Sequence, residues 1–534
     1  MDKEDTSKPA PLPIPEAPPL ICFESNRTPR VLKSDGTEST TLTLIERSFE
    51  NSYYKPSTFQ WSPRLLPEGF DDPKRWTGIT LTQHGTSRGR QFDRLGSVFI
   101  GGVEVWRTDN PEPVRTTGGI LWTSDREVNT YYSLFSRNAQ ILFDYPNIVN
   151  EVYTGALNIT LSITVTQPKS DASTAQQPLH LRTPLVYPIS KSNATGDSKW
   201  LVDNEMATSQ VSIPRHARAA LIEVYASGTA EDEFHYTNVP DQLYERVVNA
   251  SQALRPRGPY RELQVKIDGQ RAGITLPYPV IFTGGINPLL WRPQVGFGAM
   301  IQPTYLFDVS PFLPVLADGK PHDISLGVVS AERNHSIPSG WFLSGNVQVA
   351  LHSDETITTR GSMPTVTVTP LDGNVNTTTS GSTISDVQAD VSLIRPRALA
   401  VAGEIHLSSG HSYEIKVEHT LEYANQQHNA NDGNQSLIAQ QASGCQRSQH
   451  GEEMFLYNQY NFPLLVTTSV DGNTTTTKVD HSFEQHLELG QSATASWPEP
   501  GSQDTKTHQK ARSEVVVDSQ GNFTSGLGQN HQIL

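Results

Sequence analysis

The ten residues Leu157-Asn158-Ile159-Thr160-Leu161-Ser162-Ile163-Thr164-Val165-Thr166 set five apolar side chains at alternate positions with five polar ones between them. A period of two is the repeat of a strand with one face in a core and the other in water. Upstream, Gly96 to Arg107 (GSVFIGGVEVWR) has β-branched and aromatic residues on both sides of Gly101-Gly102. Such a glycine pair takes the positive φ angles of a tight turn, so the stretch reads as a hairpin. Further strands are expected at Ala219–Ala226, Leu263–Ile267, Val347–Leu351, Thr365–Thr369, Ser412–His419 and Glu514–Val517. No stretch supports a helix longer than about three turns. With 38 Gly and 37 Pro against 18 % charged residues, the composition favours turns over helices, and the chain reads as all-β.

At 534 residues the chain exceeds one hydrophobic core, and a size of roughly 100–200 residues per domain implies about three units. Residues 1–20 are a Pro-rich lead-in. Strand-rich units are expected at 21–170 and 199–355, joined by a polar, turn-rich linker at 171–198. A β-rich C-terminal region covers 356–534, and its polar run near 425–450 (NQQHNANDGNQSLIAQQASGCQRSQH) reads as a long exposed loop.

The formal net charge of −15 argues against nucleic acid and anionic lipid as partners, because both attract basic surfaces. No run of about 18 apolar residues is present, so no membrane span is expected, and the N-terminus shows no apolar leader segment. Nine N-x-S/T sequons, at Asn26, Asn158, Asn193, Asn249, Asn334, Asn376, Asn434, Asn473 and Asn522, favour the secretory pathway. Cys22 and Cys445 fit either one long-range disulfide or two buried thiols.

Metalloprotease, zinc-ribbon, Walker and dinucleotide-binding motifs are all absent. Gly85-Thr86-Ser87-Arg88-Gly89 matches the serine-hydrolase elbow, but that elbow needs a helix after the serine, and the residues that follow are strand-like. Three other segments carry candidate chemistry. In Gly89-Arg90-Gln91-Phe92-Asp93-Arg94, charges stand at the mouth of an apolar hairpin, where they are either paired or used. An Arg–Asp bridge closing a sheet edge fits the same spacing. In Glu231-Asp232-Glu233-Phe234-His235-Tyr236-Thr237-Asn238, clustered carboxyls lie among aromatics, as in sites where one acid keeps its proton while its neighbour is ionised. A solvated acidic loop is the plainer alternative. In Thr283-Gly284-Gly285-Ile286-Asn287-Pro288-Leu289-Leu290-Trp291-Arg292-Pro293, turn residues precede an indole face and a planar donor fork. A Trp that only packs, beside a surface Arg, fits as well.

Taken in order, GRQFDRLGSVFIGGVEVWRT, the Gly119–Trp122 run GILW, NEVYTGALNITLSITV, AALIEVYASGTAEDEFHYTN, PYRELQVKIDG, PVIFTGGINPLLWRPQ and YLFDVSPFLPVLADGKPH resemble the acidic peptide:N-glycanase A family of plants and fungi. The resemblance is strong over about residues 20–355 and weak beyond. It implies two consecutive antiparallel jelly-roll β-sandwich domains with a site between them. It also implies hydrolysis of the amide joining the core N-acetylglucosamine of an N-linked glycan to asparagine, giving aspartate and a glycosylamine. Residue by residue it implies Asp93 as general base, Glu233 and Arg292 as its catalytic partners, and Arg94 and Trp291 as substrate contacts. Arg90, Asp232, Asn147 and Glu151 are further substrate-binding candidates. No cofactor or metal is implied. The expected partners are N-glycosylated peptides and proteins, and the expected location is secreted or vacuolar. Two other readings are a non-catalytic jelly-roll lectin and an endoglycosidase that cuts within the glycan core.

Overall fold

The computed structural model describes residues 18–25, 36–113, 118–169, 178–181, 183–191, 198–247, 254–338, 340–383, 386–430, 434–490, 501–520 and 523–533. Strands account for most of these residues, and the longest described α-helix, Asp241–Val247, makes about two turns.

The first nine strands are β1 (Leu20–Cys22), β2 (Thr37–Phe49), β3 (Ser57–Trp61), β4 (Gly78–Ser87), β5 (Leu95–Ile100), β6 (Val103–Asp109), β7 (Ile120–Glu127), β8 (Ala139–Asp144) and β9 (Leu157–Pro168). They form two sheets, β1-β7-β4-β9-β2 and β3-β8-β5-β6, whose inner faces share one core containing Trp61, Trp76, Trp106 and Trp122. β9 buries Leu157, Ile159, Leu161, Ile163 and Val165 and leaves its polar positions more open, so the alternation read from sequence is the alternation of the fold. The β5–β6 hairpin turns at Gly101 and Gly102, with φ of 57° and 83°. That is the left-handed region glycine enters without a Cβ clash.

The next strands are β10 (Leu185–Ile189), β11 (Trp200–Val202), β12 (Ala207–Val211), β13 (Ala217–Gly228), β14 (Glu262–Ile267), β15 (Gln270–Thr275), β16 (Tyr305–Asp308), β17 (His322–Val329) and β18 (Trp341–Leu351). They build the sheets β10-β18-β13-β16 and β12-β17-β14-β15 around a second core. β10 corrects the linker expected at 171–198: Leu185–Ile189 pairs with Val349–Gly345 of β18 and belongs to this sheet. Residues 171–177, 182 and 192–197 of that stretch lie outside the described residues.

The two sandwiches meet through buried polar groups. Arg107 of β6 forms a two-pronged pair with Glu104 and donates to Ser227 Oγ and the Phe342 carbonyl across the interface, at 2.9 and 2.8 Å. Lys199 reaches Asp144 at 2.7 Å, and Tyr131 donates to Glu223 at 2.7 Å. A buried charge left unpaired is costly, and the charged groups named here each have a partner.

The last twelve strands make one sheet: β19 (Thr359–Arg360), β20 (Thr365–Val368), β21 (Val375–Thr383), β22 (Asp386–Leu393), β23 (Arg397–Leu407), β24 (Ser412–Ala430), β25 (Gln435–His450), β26 (Glu453–Asn461), β27 (Leu464–Asp471), β28 (Thr474–Leu489), β29 (Gly501–Val517) and β30 (Phe523–Ile533). The exposed loop read at 425–450 is overturned here. Among the described residues of that run, 425–430 are the end of β24 and 435–450 are β25, paired in continuous antiparallel register from Ile415↔His450 to Ala430↔Gln435. Polar composition misled because several side chains on the buried face of β24 (His419, Asn425 and Gln427) are themselves polar.

Cys22 and Cys445 are both free thiols, so the disulfide alternative is not the one formed. Of the sequons, Asn158, Asn334, Asn376, Asn434 and Asn473 are exposed. Asn26, Asn193, Asn249 and Asn522 lie outside the described residues. Among the described residues, no helix is long and apolar enough to cross a membrane.

Candidate functional site

Asp93 stands two residues before β5, in the loop that leaves β4 at Ser87. Ser87 is buried at the end of that strand, and the chain runs on through loop into β5 with no helix after it, so the elbow geometry is absent. Across the sandwich interface lies the loop of residues 282–292. Its Gly284 N–H donates to Asp93 Oδ2 at 2.8 Å, and a Cβ on Gly284 would fall 3.1 Å from that oxygen, so glycine is what lets the backbone cradle the carboxylate.

The preceding amide does the same for a group sequence reading missed. Thr283 N–H donates to Asp109 Oδ2 at 2.9 Å, and Thr283 Oγ1 donates to the Asn110 carbonyl at 2.5 Å. Asp109 is 1 % exposed, the last residue of a strand buried along its whole length. A signal for it existed in the hairpin register: with one bulge, Leu95 faces Asp109, which sets Asp109 beside the residues that follow Asp93.

Glu233 arrives from the second sandwich on the loop after β13, between two short 3-10 turns, Ala230–Asp232 and His235–Thr237. The three carboxyls act on one another. Burial pushes the Asp93 carboxyl up, against the lowering effect of the Gly284 amide and the Arg94 guanidinium. Burial, then the charges of Asp93 and Glu233, hold Asp109 well above the usual carboxylate range. Burial and the charge of Asp93 bring Glu233 up to about 7. At Asp93, burial outweighs the one arginine that reaches it, Arg94. Such a set keeps protons into neutral solution and shares the remaining negative charge.

The other residues singled out from sequence divide clearly. Arg94 lies where its charge acts on Asp93, and its guanidinium donates to Gln91 Oε1 at 2.8 Å and to the Tyr53 hydroxyl at 3.4 Å. Arg90 is exposed, 5.8 Å over the Tyr153 ring, on the same rim as Phe92. Arg292 is directed elsewhere, donating to the carbonyls of Glu112 and Pro113 at 3.1 and 3.2 Å, and its charge acts on the Cys22 thiol. Trp291 offers no stacking face: it is 1 % exposed, in a core with Tyr236, Ile281 and Leu290, and its indole N–H donates to the Gly285 carbonyl at 2.7 Å.

Asp232 is likewise structural. It is fully buried, gripped at both oxygens by Arg261 at 2.6 Å, and bonded to Asn238 and to the Trp341 indole. Asn147 is buried, donating to the Phe49 and Gly155 carbonyls at 2.9 and 3.3 Å, and so ties the surrounding loops together. Glu151 is exposed in a turn of the 146–155 loop. Tyr236, in the same core as Trp291, is 1 % exposed, has a buried hydroxyl with no hydrogen-bond partner among the described residues, and its phenol is raised by burial and by the charge of Glu233.

These shifts fix a dependence of stability on pH. Glu233 in the folded chain sits near 7 against an ordinary 4.5, so the native state holds a proton that the unfolded chain has released. That contribution is complete below the unfolded value and is lost as pH rises through about 7. Glu104, Asp232 and Glu262 run the other way: burial opposes their charge, but Arg107, Arg261 and Arg397 outweigh it, so their contribution is lost on acidification. A stability maximum in mildly acidic solution is expected. Glu233→Gln should flatten the alkaline side by up to about 3 kcal/mol. Urea unfolding of both proteins from about pH 5 to about pH 8 checks it; an unchanged alkaline slope in the variant removes Glu233 as the source.

The fold and site thus define an all-β protein with a carboxyl-rich, loop-built site between two sandwiches. The profile of the peptide N-acetyl-β-D-glucosaminyl asparaginase amidase A family matches residues 28–367, and the chain belongs to that family. It is 31 % identical over 358 residues to peptide-N4-(N-acetyl-β-glucosaminyl)asparagine amidase A of Prunus dulcis, a match covering 65 % of this chain. The chain spans about 60 % of the length of that curated relative. Among solved structures, PNGF-II aligns at 12 % identity and a TM-score of 0.40, covering 59 % of this chain and 66 % of that one.

Proposed function

We propose that the chain hydrolyses the side-chain amide between asparagine and the innermost N-acetylglucosamine of N-linked glycans, releasing the intact glycan. The observation that carries this reading is the Asp93 carboxyl of the first sandwich, held by the Gly284 N–H of the second at 2.8 Å, with the Glu233 loop near enough for the charge of Asp93 to act on Glu233. Asp93 takes a proton from water as its oxygen bonds to the amide carbon. Glu233, protonated below about 7, gives its proton to the nitrogen as the C–N bond breaks. The products are an aspartate side chain and a 1-amino-glycan, which sheds ammonia in water. Asp109 is the carboxyl of the set that burial and its neighbours' charges hold highest. Arg292 and Trp291 take no part in this scheme, and Arg90 and Arg94 are the cations of the rim that meets substrate.

The sequons and the mildly acidic working range fit a secreted or vacuolar setting. Incubation with an N-glycopeptide tests the reaction: conversion of Asn to Asp adds about one mass unit, whereas an endoglycosidase leaves one sugar on intact Asn. Product carrying intact Asn, or tight glycan binding with no turnover, replaces this reading by the endoglycosidase or the lectin respectively.

A further inference from the structure

We infer that the C-terminal sheet is a working part of the site: Asn425 and Gln427 of β24 are positioning residues for the loop that carries Glu233, and Asn530 of β30 for the loop that carries Gly284. This rests on the amidase reading above.

Neither loop has regular structure to hold it. The Glu233 loop is two 3-10 turns with no side-chain cap on either, and the second loop is a chain of turns ending in the 3-10 helix Pro288–Trp291. Backbone carbonyls buried in such loops need donors from elsewhere. For the first loop, β24 supplies them: Asn425 Nδ2 donates to the Tyr236 carbonyl at 3.0 Å and Gln427 Nε2 to the Asn238 carbonyl at 2.8 Å. For the second, Asn530 Nδ2 donates to the carbonyls of Leu290 and Gln294, both at 2.9 Å.

The apolar floor is shared in the same way. Tyr236, Ile281, Leu290 and Trp291 of the loops form one buried cluster with Leu464, Val466, Val479 and Ala511 of β27, β28 and β29. Beside it the backbone of β30 lies so close that a Cβ on Gly528 would sit 1.8 Å from the Leu289 carbonyl oxygen. The two loops thus rest on one rigid sheet, which sets the separation of Glu233 from the Gly284 amide that cradles Asp93. The part of the chain that does this lies almost wholly beyond residue 367, where the family match ends.

The test is the double variant Asn425→Leu/Gln427→Met in the full chain, with Gln426→Ala, exposed on the other face of β24, as control. With glycopeptide substrate, kcat of the double variant should fall about tenfold or more while KM stays within about twofold, since misplacement by about 1 Å costs up to 10²-fold. Amide hydrogen exchange over residues 230–238 should quicken, with exchange in the β9 and β13 strands unchanged. Asn530→Leu should do the same over residues 284–294 and serves alone if the double variant does not fold. Wild-type kcat together with wild-type exchange in the variants overturns the inference. An inactive wild type whose loops still loosen in the variants overturns the amidase reading and leaves the brace standing.

Discussion

Asp93→Asn is expected to slow glycopeptide amide hydrolysis by roughly 10²–10⁴-fold, the contribution of a positioned general base, while the chain still folds. The asparagine keeps an oxygen for the Gly284 N–H, so the cradle survives and what disappears is the proton acceptor. A second change follows from the coupling of the acids. The charge of Asp93 is one cause that raises Glu233, so its removal lowers Glu233 and moves the alkaline limb of any residual activity to lower pH. Mass-resolved assays across the pH range measure both effects. Full activity in the variant would remove Asp93 from the mechanism; lost activity with an unmoved limb would keep Asp93 but break its link to Glu233.

The largest effect on stability is expected at Arg261→Met. Arg261 and Asp232 are both fully buried, and the guanidinium meets both carboxylate oxygens. Removing the cation leaves a carboxylate in the interior with only Asn238 and Trp341 as donors. Breaking a buried pair from one side costs about 3–5 kcal/mol, more than most single substitutions. Because Glu233 is the next residue in the chain, activity should drop with stability. Arg261→Met/Asp232→Leu, with no charge left unpaired, should recover much of the stability. Chemical denaturation of the two variants decides it: equal losses in both would show that the charge is not the source.

The misreadings share a cause. Asp232 in a carboxyl cluster, Trp291 at a loop and Asn147 by its place in the resemblance read as substrate contacts because sequence shows residue type and position but not what packs against them. In the fold, Arg261 comes from 29 positions away to close on Asp232, and Trp291 is covered by the C-terminal sheet. Asp109 escapes a sequence reading for the reverse reason: at a strand end after Trp106-Arg107-Thr108 it looks like an ordinary polar stop, and only the fold puts the Thr283 amide and the charges of Asp93 and Glu233 against it. The run at 425–450 failed as a loop because composition reports what a side chain is made of. Which face it occupies depends on the strand beside it.

By itself, the sequence determined the all-β character, the hairpin at Gly101-Gly102, the buried face of Leu157–Thr166 and the family. It also placed two carboxyls of the candidate site, Asp93 and Glu233. Each of these follows from short-range pattern: a period of two, a glycine pair with positive φ, or motifs in a fixed order. The tertiary structure alone decided that Asp109 joins them, that Arg292 turns away, that Asp232 is a strut, and that a polar C-terminal sheet supports both loops. Those outcomes depend on burial and on contacts between residues distant in sequence, from 29 positions for Asp232 with Arg261 to 191 for Asp93 with Gly284 and 240 for Asn530 with Leu290. A charge becomes a base or a strut according to what the fold brings against it.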